Sequence, residues 1–126
     1  MSLFSVFAGD AASDKAPNSP QPVRRVNVEE FASLAGKTNS VILDVRTPEE
    51  FSAGHIKGAV LVDFRNPEFE AKASKLDKSK TYLVYCAGGG RSALACKKMT
   101  GLNFTNLVDL APGFIGWTQA KKPVEK

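Results

Sequence analysis

The chain has 126 residues, a length that suits one domain able to bury its own core without metal or disulfide staples. Its composition, 43% hydrophobic and 24% charged with a net charge of +4, excludes a disordered or collagen-like chain. The 17 Lys and Arg residues are scattered and not interleaved with aromatics, so they read as a solvated surface and nucleic acid is not expected as a partner.

Residues 1–23 read as a flexible N-terminal segment. Leu3 to Ala8 looks like the tail of an apolar stretch, and Val6 and Ala8 have the small-residue spacing of a signal-peptidase site. Two readings stand level: a signal-peptide remnant of an exported, periplasmic protein, or an ordinary N-terminus of a cytoplasmic one. Pro17, Pro20 and Pro22, set among Ala, Ser, Asp and Asn, make the rest of the segment a tether. No run approaches the roughly 18 apolar residues that suggest a membrane span.

Residues 24–126 alternate short strands and helices, the order that predicts an α/β domain around a largely parallel sheet. Arg25-Val26 opens it. Asn27 can cap a helix that carries Val28, Phe31, Ala32, Leu34 and Ala35 and stops at Gly36. Val41 to Val45 is a β-rich run fit for a central strand, with Asp44 as its polar exception. Thr47-Pro48-Glu49-Glu50 starts a second helix, which Gly54 ends, and a loop through His55 and Gly58 leads to a strand over Ala59 to Val62. A charged helix is expected over 67–77, then a central strand over Thr81 to Tyr85. A helix follows from Arg91 to Met99 with Ala93, Leu94, Cys96 and Met99 inward. Phe104 to Leu110 should be another strand, and Gly113 to Ala120 a last helix, with Phe114, Ile115 and Trp117 closing the core.

Two cysteines and a single histidine offer no four-ligand set for zinc, so neither a metal nor another cofactor is expected. Cys86 ends a strand and Cys96 lies inside the next helix, a placement poorly suited to a disulfide. The informative segment is Cys86-Ala87-Gly88-Gly89-Gly90-Arg91-Ser92 between strand and helix. Glycines there allow successive N–H groups to turn inward as an anion nest, and the helix adds its positive end. Helix and Arg91 together should favour thiolate over thiol, as suits a nucleophilic cysteine.

Four segments in order carry a resemblance: Leu43-Asp44-Val45-Arg46 with Pro48-Glu49-Glu50-Phe51; Gly54-His55-Ile56-Lys57-Gly58-Ala59; Tyr85 to Ser92; and Gly113-Phe114-Ile115-Gly116-Trp117. Over about residues 24–125 the chain resembles rhodanese-like domains. The resemblance implies a small doubly wound domain with a central, mostly parallel five-stranded sheet flanked by helices. It also implies a sulfurtransferase in which Cys86 becomes a persulfide, loaded by thiosulfate or a small persulfide and discharged to cyanide or a thiol, a protein thiol included. Amides of Ala87, Gly88, Gly89, Gly90, Arg91 and Ser92 would bind the anion, Arg91 would add charge for the donor, and the molecule would be a monomer or weak dimer.

Related cysteine phosphatases place five residues between Cys and Arg; the four here make a cradle that fits sulfur better than phosphate. The loop also lacks the Cys-Gly-Ser/Thr-Gly-Val-Thr pattern of mercaptopyruvate enzymes. Asp44 and Arg46 stand at the carboxyl end of a central strand, where they would brace the loop, with Arg46 a secondary candidate to meet the donor. His55 should order its turn and Cys96 should be core. Pro112 stands where many relatives carry glycine. A sulfur-carrier or partner-docking module with little turnover is the rival reading.

Overall fold

Two runs, Ser40–Asp44 (β2) and Thr81–Tyr85 (β5), are apolar at nearly every position because helices cover both of their faces. They pair in parallel register, Ser40 opposite Thr81 and Asp44 opposite Tyr85. A computed structural model describes residues 23–126; the tether and signal-remnant readings, which concern earlier residues, lie outside this range. Arg24–Val26 (β1), Val60–Leu61 (β4) and Leu107–Leu110 (β6) complete a five-stranded sheet of order β1-β6-β5-β2-β4 in which every pairing is parallel.

The period of two along each strand sorts the core into two halves. Leu83 and Tyr85 join Phe31 and Trp117, from helices Val28–Ala35 (α1) and Gly113–Gln119 (α5), on one face. Tyr82, Val84 and Cys86 join Phe69, Ala95, Cys96 and Met99, from Phe69–Ser74 (α3) and Gly90–Gly101 (α4), on the other. The doubly wound five-stranded sheet expected from the resemblance is therefore present, and the carboxyl ends of β2, β5 and β6 share one edge. Among the described residues no helix is long and apolar enough to cross a membrane.

Helix starts match their caps. Asn27 accepts from the Glu30 amide at 2.9 Å, and Thr47 forms a reciprocal capping box with Glu50 at the head of Pro48–Ala53 (α2). Several expectations are corrected. The strand expected over 104–110 is only Leu107–Leu110, because the Phe104 amide is drawn back to the Met99 carbonyl at the end of α4. The helix over 67–77 shrinks to Phe69–Ser74, since Asn66 and Asp77 engage backbone turns at its two ends. His55–Ile56 is not loop but a short strand (β3), paired antiparallel with Val124–Glu125 (β7), a terminal strand that two residues could not announce. On α4 the buried stripe is Ser92, Ala95, Cys96 and Met99, whereas Ala93 and Leu94 face solvent. The helix begins at Gly90, and the 3.6-residue period then turns these two outward. Ile115 is likewise exposed, leaving Trp117 and the partly buried Phe114 to close the core.

Candidate active site

Cys86 follows β5 without an intervening turn, and strand alternation places it on the α4 face, 1% exposed, beneath that helix's first turn. Its Sγ accepts the Gly89 amide at 3.1 Å and lies 3.5 Å from the Ser92 hydroxyl oxygen. Burial, the largest influence, pushes the thiol up. The hydroxyl and amide of Ser92 and the amides of Gly89 and Gly88 together outweigh it, so the thiol ionises below its ordinary range.

What aims those amides is the other half of the site. The Phe114 amide donates to the Cys86 carbonyl at 2.8 Å and the Ile115 amide to the Ala87 carbonyl at 3.1 Å. A peptide plane carries its C=O and N–H in opposite directions, so the Ala87 carbonyl drawn toward α5 turns the Gly88 amide toward the sulfur. Such an approach leaves no room for a side chain at residue 113. Gly113 has φ 65°, and a Cβ there would press into the Ala87 carbonyl oxygen and lie 2.8 Å from that of Cys86. Pro112 adopts a helical φ and ψ as the N-cap of α5, so it leaves this turn intact. Gly89 has φ 100°, and a Cβ there would strike the Ala111 carbonyl and approach the Arg25 guanidinium. Gly88 and Gly90 have no atom within 4 Å of such a Cβ, so of the three glycines only Gly89 is demanded by geometry.

Arg91 does not stand free. Its guanidinium binds both oxygens of Glu50, at 2.7 and 3.0 Å. Chiefly through that contact, Glu50 is pulled down to about 2. Arg91 thus ties α4 to α2, while its charge and that of the Cys86 thiolate still favour one another; the groups that lower the thiol by hydrogen bonding are Ser92 and the loop amides.

Asp44 and Arg46 form a buried ion pair, with Arg46 Nη2 at 2.7 Å from Asp44 Oδ2 and at 2.8 Å from the Gly54 carbonyl. The Tyr85 hydroxyl donates to Asp44 at 2.6 Å and accepts the Ile56 amide. Arg46 is only 4% exposed and its guanidinium stacks over Phe114, the placement expected of a brace. His55 stacks on Phe51 at 3.7 Å and meets Glu125, so it too is structural. Cys96 is a free, buried thiol pushed far up by burial first and then by the charge of Asp109, which suits core and not a resolving role.

Sequence reasoning missed Glu50 as the partner of Arg91, Tyr85 as part of the brace, and Arg25 with Asp109. A signal did exist for Asp109: like Asp44, it interrupts an apolar strand, Leu107-Val108-Asp109-Leu110.

The fold is an α/β domain that holds one buried thiol toward its anionic form by backbone amides, at the carboxyl edge of a parallel sheet and under a helix start. The chain belongs to the rhodanese-like domain family, whose model matches residues 27–120. It is 37% identical over 93 residues to thiosulfate sulfurtransferase 16, chloroplastic, of Arabidopsis thaliana, covering 66% of this chain and 78% of that protein. It is 30% identical over 111 residues to the putative sulfur carrier protein YrkF of Bacillus subtilis, covering 87% of this chain and 57% of that one. The chain spans about half the length of several curated relatives it matches. The crystal structure of a rhodanese-related protein from Thermoplasma volcanium superposes with a TM-score of 0.72 at 29% identity, covering 81% of this chain and 97% of that one.

Proposed function

We propose that the protein is a sulfurtransferase that carries a sulfane sulfur as a persulfide on Cys86. The carrying observation is the Cys86 Sγ in reach of the Gly89 amide and the Ser92 hydroxyl, with its ionisation favoured. In the first half-reaction the thiolate attacks the outer sulfur of thiosulfate. A bond forms between the two sulfurs, the bond to the sulfonate breaks, and sulfite leaves with the electron pair. In the second, cyanide or a thiolate attacks that outer sulfur, and the Cys86 thiolate departs unchanged. Both steps are covalent catalysis with an alternating, ping-pong order. Amides of Ala87 to Ser92 hold the charge on the persulfide and on the leaving group, as an oxyanion hole does.

A small persulfide fits the same scheme as donor, since Arg91 is already engaged by Glu50 and offers a dianion less than a free guanidinium would. The likeness to a putative sulfur carrier supports a second reading, a module that passes sulfur to a protein thiol with little small-molecule turnover. Mass spectrometry after exposure to thiosulfate tests the shared step. The Cys86 peptide should gain about 32 Da, one sulfur, removable by cyanide. Cys86→Ser should lose the adduct and all transfer; an adduct or undiminished transfer in that variant sinks the covalent proposal. Sustained thiocyanate formation favours the enzyme, and a single turnover favours the carrier.

A further inference from the structure

Asp109 is an odd residue for its place. It lies in β6 with its side chain 2% exposed; its Oδ1 makes no hydrogen bond of normal geometry, and the Ser92 side chain is the polar neighbour that bonds the carboxylate beyond that limit. A carboxylate buried with one oxygen poorly satisfied destabilises a fold, and buried ion pairs are often replaceable by apolar residues at no loss. Its other oxygen is bound to Nη1 of Arg25, directly opposite it in register in β1. Arg25 in turn reaches out of the sheet. The same Nη1 lies 3.4 Å from the Gly89 carbonyl, and Nη2 lies 3.5 Å from the Ala111 carbonyl.

Gly89 is the residue whose own amide donates to the Cys86 sulfur. Its backbone is left-handed, and its Cα sits so near Arg25 that a Cβ would approach the guanidinium to 2.8 Å. A donor on the Gly89 carbonyl fixes the plane that also carries the Gly90 amide, and so stops the glycine triplet from pivoting. Resting on the sulfur-transfer reading, we propose that Arg25 and Asp109 are positioning residues of the site: Asp109 anchors Arg25, and Arg25 clamps Gly89 so that the loop amides stay aimed at Cys86. Neither touches the reacting sulfur.

Charge alone would make the opposite prediction for one of the two. The charged and titratable groups around the thiol are Arg91 with Glu50 from α4 and α2, Asp44 from β2 with Arg46 two residues past its end, Cys96 from α4, and this pair from β1 and β6. Through space, removing Arg25 should hinder thiolate formation and removing the Asp109 charge should aid it. A clamp loses its hold in both cases.

The experiment is the pH dependence of Cys86 alkylation by iodoacetamide, read on the Cys86 peptide of the full chain so that Cys96 does not contribute. Arg25→Met and Asp109→Asn should each raise the midpoint by roughly one pH unit, the scale of a lost hydrogen bond. The double variant should match Arg25→Met and not the sum. Arg25→Met leaves the buried Asp109 carboxylate without its counter-ion, so the thermal unfolding of each variant is measured alongside, and the double variant, which removes that charge as well, is the folded comparison. A midpoint lowered or unchanged in Asp109→Asn, or unchanged in Arg25→Met, overturns the clamp while the sulfur-transfer reading survives. A wild-type midpoint no lower than that of a free cysteine overturns both.

Discussion

Ser92 is the side chain that hydrogen-bonds the Cys86 sulfur. Its hydroxyl and amide oppose the burial that would otherwise keep the thiol protonated, whereas Arg91 spends both arms of its fork on Glu50. Ser92→Ala should therefore raise the midpoint of Cys86 alkylation by about one to two pH units, the equivalent of a hydrogen bond to a charged group. Arg91→Ala should move it less; a larger shift in that variant would return the leading part to the arginine. The Glu50–Arg91 pair has its own pH signature. Glu50 titrates lower in the fold than in the unfolded chain, so its contribution is whole above the ordinary glutamate value of 4.5 and fades only as pH falls toward about 2. With both side chains partly exposed, Glu50→Gln should cost less than about 1 kcal/mol in urea unfolding at neutral pH. That difference from wild type should vanish in strong acid.

At the scale of elements, α5 is the part of the site that no motif around Cys86 reveals. Its first amides draw the Cys86 and Ala87 carbonyls outward, and Gly113 is what lets the helix come that close. Gly113→Ala should destabilise the domain by about 2 kcal/mol or more, through both the left-handed backbone and the carbonyl contacts, and should slow Cys86 alkylation. Gly88→Ala should be near neutral in the same thermal melts, since nothing stands within 4 Å of its added methyl group. Equal losses in the two would mean that the loop, and not the helix against it, sets the requirement. In the sequence the three consecutive glycines look alike, because composition reports what a backbone can adopt and not what it meets. Helix starts were legible for the converse reason: Asn27, and Thr47 with Glu50, make local bonds within a single turn. On α4, Cys96 and Met99 were legible as buried, whereas in the first turn the buried positions are Ser92 and Ala95 and not Ala93 and Leu94, because a polar serine placed under the loop does not look like core.

Across the whole molecule, the sheet was legible because buried parallel strands leave continuous apolar runs, and the carboxyl edge was marked by the residues that break them, Asp44 and Asp109. Long-range partners were not legible. Nothing near Asp44 says that its carboxylate will hold Arg46 and the Tyr85 hydroxyl together, or that the same phenol will take the Ile56 amide while Arg46 takes the Gly54 carbonyl. This one cluster joins β2, β5, α2 and β3 beside the loop, so it should matter to the fold before it matters to chemistry. Asp44→Ala leaves a buried guanidinium without its counter-ion and the phenol without its acceptor, a loss of about 3–5 kcal/mol. Arg46→Met alone strands the carboxylate in the same way. If the pair is a brace, the double variant should recover about 1 kcal/mol or more of the sum of the two single losses in urea unfolding, because the second substitution removes the stranded charge. Additive losses would mean that Asp44 and Arg46 act separately. A selective fall in thiosulfate use by an Arg46→Met variant of normal stability would instead put that guanidinium at the donor, despite its burial.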